Sequence, residues 1–195
     1  YQEQAIHSVC LTAGSPRSYG IDVSKWQGTI DWAQVGTSGK TFAIIRASSG
    51  GTYKDTTFAA NWAGAKSAGL LRGAYHYFLA DVSGTTQADL MVSVMGTLGV
   101  DDLPPVIDVE ETRSQTAATI VTRVNEMVVR LRELTGRDAM IYSGGYFWDT
   151  NVKSTQFASL PLWTAHYFND GTTSHCPNTP DAWSKWTLWQ YSSTG

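Results

Sequence analysis

Charge is scarce in this sequence, and so is cysteine. Asp, Glu, Lys and Arg make up only 16% of the 195 residues, the net charge is −3, and no run of basic residues occurs. Binding to a phosphate backbone needs clustered Lys and Arg, so no nucleic-acid partner is expected. No apolar stretch approaches the roughly 20 residues needed to cross a bilayer, so no membrane span is expected. The two cysteines, Cys10 and Cys176, lie far apart and make neither a CxxC redox motif nor a zinc-ligand pair. The four histidines, at 7, 76, 166 and 175, are scattered, without a metal-ligand spacing such as HExxH. Ser48-Ser49-Gly50-Gly51 lacks the lysine and the spacing of a phosphate loop, and there is no G-x-S-x-G elbow. No metal, cofactor or serine nucleophile is therefore expected.

What is present is enough apolar material for a core. Hydrophobic residues make up 42% of the chain and eight residues are Trp, which argues against disorder. Most of the Trp should pack in the core, and a few should line a sugar cleft, where flat rings stack on pyranoses. The length fits one domain. Residues 1–17 show no periodicity and read as an N-terminal extension, followed by a single domain over residues 18–195. No signal peptide is visible, and Tyr1 reads as the start of a mature or trimmed chain.

From Tyr19 onward short apolar runs alternate with helical patterns. The runs Tyr19–Val23, Phe42–Ala47, Gly73–Phe78, Pro105–Val109, Ala139–Tyr142, Leu162–His166 and Thr187–Tyr191 are too short for helices and are flanked by turn residues. Between them, Thr116–Leu134 places Ile120, Val121, Val124, Met127, Val128, Leu131 and Leu134 on one helical stripe, with Ser114 or Thr116 as the cap and Gly136 as the stop. Further helices are expected over Thr86–Leu98 and Thr57–Ala68. Alternating strands and helices imply a parallel sheet with crossovers. Seven strands is one fewer than a closed α/β barrel normally has.

The chemistry concentrates in Pro104-Pro105-Val106-Ile107-Asp108-Val109-Glu110-Glu111. Residues i and i+2 of a strand share a face, so Asp108 and Glu110 should sit side by side, their Cα atoms about 6.5 Å apart. They lie at the C-terminal end of a strand, where α/β barrels carry their catalytic groups. Two neighbouring carboxylates do not both ionise easily, and one should be held protonated near neutral pH. A proton donor of that kind is what cleavage of a glycosidic bond requires. Asp22 ends the first strand in the same way, beside Trp26 and Gln27. Tyr75 and Tyr77 share one face of a later strand. His76 lies on the other face and reads as a hydrogen-bonded structural residue. Tyr142, Trp163, Trp189 and Gln190 stand at or near the ends of the remaining strands.

In chain order these segments resemble the glycoside hydrolase family 25 lysozymes, the Chalaropsis-type N-acetylmuramidases. The resemblance runs through Gly20-Ile21-Asp22-Val23-Ser24 with Trp26-Gln27-Gly28, Ile30-Asp31-Trp32, Phe42-Ala43-Ile44-Ile45-Arg46-Ala47, Gly73-Ala74-Tyr75-His76-Tyr77-Phe78, Pro105-Val106-Ile107-Asp108-Val109-Glu110, Pro161-Leu162-Trp163 and Leu188-Trp189-Gln190-Tyr191. It implies an irregular, flattened β/α barrel of the TIM-like α/β class. It also implies hydrolysis of the β-1,4 bond between N-acetylmuramic acid and N-acetylglucosamine, with bacterial cell-wall peptidoglycan as the partner. On the family's pattern Glu110 is the general acid/base, Asp108 supports the reacting centre and Asp22 is a further acid. Tyr75 would also line the site, and Tyr77, Tyr142, Trp163, Trp189 and Gln190, from their places at the strand ends, are the further residues expected to bind substrate. The resemblance leaves open whether Asp108 is a nucleophile or orients the substrate's acetamido group.

One departure from the family pattern stands out. Its members continue past the Trp-Gln-Tyr strand into a last strand carrying another acid, whereas this sequence reaches Ser192-Ser193-Thr194-Gly195. The expectation is a barrel lacking its last strand in this chain. Either residues follow Gly195 in the natural product, or the segment Ala5–Leu11 folds back into the eighth position. A wall-binding module with little or no catalysis is the alternative function. A chitinase is disfavoured, because the residues before Asp108 do not form Asp-x-x-Asp-x-Asp-x-Glu. Composition leans toward a secreted monomer. Cys10 and Cys176 are either two free thiols or one disulfide, and the bridge is expected, because the N-terminal extension needs an anchor.

Overall fold

The computed structural model describes residues 7–10, 15–168 and 175–193. Strands β1 (Gly20–Val23), β2 (Phe42–Ser49), β3 (Tyr53–Lys54), β4 (Leu71–Tyr77), β5 (Val106–Asp108), β6 (Met140–Gly144), β7 (Leu162–Ala165) and β8 (Leu188–Gln190) alternate with helices α1 (Trp32–Thr37), α2 (Phe58–Ser67), α3 (Gly84–Met95) and α4 (Ala117–Thr135). Seven strands form one parallel sheet in the order β1-β2-β4-β5-β6-β7-β8, and the two-residue β3 pairs antiparallel with the end of β2. The seven expected strands are all found, within two residues at either end.

The sheet curls into a half-barrel with two separate cores. Its convex face carries small and branched residues, Ala43, Ile45, Ala74, Ile107 and Ile141, against Phe58, Met91, Val124 and Met127 of the helices. Its concave face holds a smaller cluster of Ile44, Val106, Met140, Tyr142 and Trp163. A strand buried on both faces reads as a continuous apolar run, which is why the runs showed no alternation.

Helix α4 follows its predicted stripe, burying Ile120, Val124, Met127 and Leu131. Thr116 supplies the cap by accepting from the Thr119 amide at 3.2 Å, and Gly136 ends the helix at φ 69°. Helix α3 crosses α4 closely at Gly84, where a Cβ would lie 2.0 Å from the Arg123 carbonyl oxygen. Glu126 of α4 accepts from the Gly84 amide at 2.9 Å and fixes the crossing.

Strands β1 and β8 are the two ends of the sheet order, and the barrel is not closed between them. At the mouth the edges touch through side chains. Gln190 Nε2 donates to Asp22 Oδ2 at 2.9 Å, and the Tyr19 and Tyr191 rings meet edge to face at 6.4 Å. Between the edges lies a cavity of about 990 Å³, lined in part by Ile21, Phe42, Ile44, Trp163 and Leu188. The described part of the Ala5–Leu11 segment does not fill it. Residues 7–10 run instead along 177–179, where Ser8 bridges Asn178, the Thr179 amide donates to the His7 carbonyl at 2.9 Å and Trp186 Nε1 donates to the Val9 carbonyl at 2.8 Å. The fold-back expectation is corrected accordingly. The segment finds its backbone partners in the stretch before β8 rather than on a strand edge. Residues 5, 6 and 11 lie outside the described residues.

Cys10 and Cys176 form the expected disulfide, with Cα atoms 4.7 Å apart. It fastens the same extension to the same stretch. Closing so long a loop restricts the unfolded chain, and the bridge should contribute about 2–4 kcal/mol. Replacing both cysteines by serine is expected to lower the urea midpoint by a corresponding amount. A double variant with an unchanged midpoint would show that the noncovalent contacts of residues 7–9 suffice.

Candidate active site

Register brings the acids together. Tyr77 of β4, Asp108 of β5 and Tyr142 of β6 are Cα partners across three adjacent strands, and Arg46 of β2 pairs with Tyr75 of β4. Asp22 of β1 pairs with Ile44, two residues before Arg46 on the same face of β2. All of these side chains lie toward the C-terminal ends of parallel strands, on the concave face. Asp22, Asp108, Glu110, Tyr75, Tyr77 and Tyr142 therefore share one mouth.

The two central carboxyls differ in setting. Asp108 is the last residue of β5 and only 6% exposed, and its Oδ1 is buried with no hydrogen-bond partner among the described residues. Burial, and then the charge of Glu110, hold its carboxyl well above the usual range, against the pull of Arg46. Glu110 lies two residues past Asp108, beyond the strand end and open to solvent at the rim. Its pKa is also raised, chiefly because the surrounding wall removes part of its hydration; a hydrogen bond from Tyr77 opposes the rise and the charge of Glu111 adds to it. Asp22 is raised by burial as well, and its bond from Gln190 offsets part of the effect. Both members of the pair, rather than one, are thus pushed toward the protonated form, and their charges are coupled.

The tyrosines remain protonated donors. Burial and the nearby carboxylates raise Tyr75, Tyr77 and Tyr142 above the ordinary phenol range. Gln190 is a hub. Its amide oxygen accepts from Tyr142 at 2.7 Å and from Tyr167, while its amide nitrogen holds Asp22. Its polar atoms position an acid across the open edge of the barrel, and the residue also lines the cavity there.

His76 points to the convex face and is fully buried. Its Nε2 lies 3.0 Å from Gln87 Oε1, an oxygen that also accepts from the Leu79 amide, so Nε2 carries the proton and Nδ1 accepts from Ser48 at 2.8 Å. Burial pushes its pKa down to about 4. It is the neutral structural residue that the sequence suggested.

The profile of glycosyl hydrolases family 25 matches residues 21–195. The chain belongs to that family. It is 39% identical over 187 residues to Lysozyme M1 of Streptomyces globisporus, a match covering 90% of this chain and 62% of that protein. It is 29% identical over 188 residues to the N,O-diacetylmuramidase of Chalaropsis sp., covering 89% of this chain and 87% of that one. Among solved structures, the bacterial lysozyme from Streptomyces coelicolor superposes with a TM-score of 0.85 at 36% identity, covering 93% of this chain and 87% of its own.

Trp163 and Trp189, both expected to bind substrate in this family 25 chain, sit in different settings. Trp163 faces the concave side but is only 6% exposed, with its ring 4.7 Å from that of Tyr142 in an edge contact, so it buttresses Tyr142 within the wall. Trp189 falls between Leu188 and Gln190 and so takes the opposite face. It packs beside Trp186 and Phe168 and donates to the His166 carbonyl at 2.8 Å. Strand alternation explains the placement of Trp189, since only every second residue of β8 can look into the barrel.

Other residues at the mouth were not singled out from sequence. Lys25 Nζ lies 4.7 Å from the Trp26 ring and 5.1 Å from the Tyr53 ring, and the Arg46 guanidinium lies 5.3 Å from Tyr53 and 5.1 Å from Tyr77. The result is an alternating row of rings and cations from Trp26, which is 76% exposed, to the acidic rim. One signal was available. Arg46 is the only charge in the apolar run Phe42–Ala47, on the face opposite to that of Ala43 and Ile45. Among the described residues, no group of three or more His, Cys, Asp or Glu is placed to hold a metal ion.

Proposed function

We propose that this family 25 chain is a muramidase that hydrolyses the β-1,4 bond between N-acetylmuramic acid and N-acetylglucosamine in bacterial peptidoglycan. The observation that carries the reading is the coupled pair of Asp108 and Glu110 at the barrel mouth, both with raised pKa. Glu110, on the rim, protonates the glycosidic oxygen and later takes a proton from water. Asp108, in a desolvated wall, is an unfavourable anion in the free protein. It becomes favourable when positive charge develops on the sugar ring, so its stabilisation is concentrated in the transition state. Asp22, held by Gln190, adds to the same negative field. The names of the relatives, a lysozyme and an N,O-diacetylmuramidase, support the reaction class. The chain spans 62% of the length of Lysozyme M1.

A wall-binding module without catalysis fits this geometry less well. Burying an unpartnered carboxylate beside a second one costs stability, and gripping a neutral glycan needs no such pair. Mass spectrometry of wall digests should reveal fragments with muramic acid at the new reducing end. Chain that pellets with walls yet releases no new reducing ends would support the binding module instead. The disulfide fits action outside the cell, in an oxidising setting, and secretion is part of the proposal. Residues 18–195 are proposed as the catalytic unit, with residues 1–17 as an N-terminal extension to it.

A further inference from the structure

Strands β1 and β8 are not paired with each other, so β1 is hydrogen-bonded to the sheet on one side only. Asp22 stands on this edge strand. At the mouth it is tied to the far end of the sheet by a side chain, the amide of Gln190. What sets the direction of that amide therefore sets what Asp22 meets.

An amide side chain has two unlike ends. Its oxygen accepts twice and its NH₂ donates twice. At Gln190 the oxygen takes two phenol protons, from Tyr142 at 2.7 Å and from Tyr167, and this leaves the NH₂ as the end turned to Asp22. A reversed amide would present its oxygen to Asp22, a contact that exists only when Asp22 carries a proton. Both phenols keep their protons, since burial raises each of them above the ordinary phenol range. Tyr142 is buried in the concave wall, whereas Tyr167 is 47% exposed. Tyr167 lies two residues past the end of β7, and its neighbour His166 fastens that turn to β8. The His166 amide donates to the Gln190 carbonyl at 3.2 Å, and Trp189 Nε1 donates to the His166 carbonyl at 2.8 Å. The His166 ring is held in turn, its Nδ1 accepting from the Asn178 amide at 3.1 Å. The Tyr167 hydroxyl is thus preorganised beside Gln190.

We infer that Tyr167 is a positioning residue for the reaction: together with Tyr142 it locks the Gln190 amide so that its NH₂ holds Asp22 across the open seam, in line with Asp108 and Glu110. The inference rests on the muramidase reading and adds to it a residue that acts on an acid from the opposite end of the sheet. The other groups whose charge or hydroxyl faces Asp22 are Tyr75 of β4 and the carboxyls of Asp108 and Glu110, and Arg46 of β2 acts on these three. Lys25, on the turn after β1, directs its ammonium at the Trp26 and Tyr53 rings. Burial raises the Asp22 carboxyl and the Gln190 bond opposes the rise. Loosening the amide should therefore let Asp22 take up its proton at higher pH, which weakens the negative field at the reacting centre.

Tyr167→Phe tests this, because it removes one hydroxyl from a half-exposed ring and keeps the ring. The full chain is labelled with ¹³C at its Asp carboxyls, and the Asp22 signal is assigned by its loss in Asp22→Asn. In Tyr167→Phe the Asp22 carboxyl is expected to titrate at higher pH than in the unmutated chain. Gln190→Met should raise it as well, and adding Tyr167→Phe to Gln190→Met should then change nothing further, because the effect passes through the amide. With a soluble, uncrosslinked wall glycan as substrate, Tyr167→Phe should lower kcat by about 3–10-fold, as loss of one hydrogen bond implies, and leave KM within about 2-fold. An Asp22 titration that Tyr167→Phe does not move, or moves equally with and without Gln190, would overturn the inference. So would a raised KM at unchanged kcat, which would make Tyr167 an ordinary sugar contact. If the unmutated chain releases no reducing ends from the glycan, the muramidase reading fails, and the titration still decides separately whether Tyr167 acts on Asp22 through Gln190.

Discussion

Glu110→Gln should lower the rate of wall lysis by about 10²–10⁴-fold, the usual contribution of a positioned general acid, and leave the melting temperature nearly unchanged. Both halves follow from its place. Glu110 is beyond the end of β5 and faces solvent at the rim, so an isosteric amide disturbs no packing. It cannot, however, deliver a proton to a leaving oxygen. Release of reducing ends from purified walls measures the first half, and a thermal melt by circular dichroism the second. A folded variant that clears walls at near wild-type speed would remove Glu110 from the mechanism. Because the pair is coupled to Asp22 and Glu111, the pH–rate curve of the unmutated chain will report the set as a whole rather than either carboxyl.

Much of this site could be read from local sequence, because strand geometry is periodic. Asp108 and Glu110 two residues apart, and Tyr75 and Tyr77 likewise, need only the alternation rule to share a face. That rule also placed His76 away from the acids. Long helices were legible for a similar reason, since α4 repeats its apolar stripe over 19 residues. Helix α1, with 6 residues, and β3, with 2, are too short to show a period and were missed. Arg46, Lys25 and Tyr53 were missed for a different reason. Their proximity depends on β1, β2 and β3 coming together, and no window along the chain contains that pairing. Trp189 was ambiguous for a third reason. A Trp-Gln pair at a strand end sends one residue into the barrel and the other out, and the register with β7 decides which.

Asp108→Asn is expected to abolish function and stabilise the fold at once. The residue is 6% exposed, its Oδ1 has no partner among the described residues, and the two strongest influences on its carboxyl, burial and the Glu110 charge, both oppose ionisation. Arg46 favours the anion but ranks behind both. An amide keeps the shape and removes the charge, so the gain at neutral pH should be about 1 kcal/mol, in the usual range when a strained functional group is relieved. In a domain of this size that corresponds to about 2–4 °C in melting temperature. The lytic rate should fall by at least about 100-fold, as for loss of an electrostatic contact made mainly in the transition state. The pH dependence gives the sharper check. A carboxyl whose pKa is raised by folding binds its proton more readily in the native state, so its favourable contribution is complete below the unfolded value, about 3.9 for Asp, and is lost as pH rises through the folded value. The unmutated chain should therefore lose stability from mildly acidic toward neutral pH, and Asp108→Asn should flatten that slope. Asp102 works in the other direction. Burial raises it, but two bonds from Arg72 and one from the Gly99 amide outweigh burial and hold it below the usual range, so its contribution is lost in stronger acid in both proteins. Melts of the two proteins across pH 4–8 should converge at the acidic end and separate toward neutral. A variant that melts below the unmutated chain at pH 7, with the same slope, would mean that the buried carboxylate is better satisfied than its setting implies, and the account of Asp108 as a strained anion released by the transition state would fail with it.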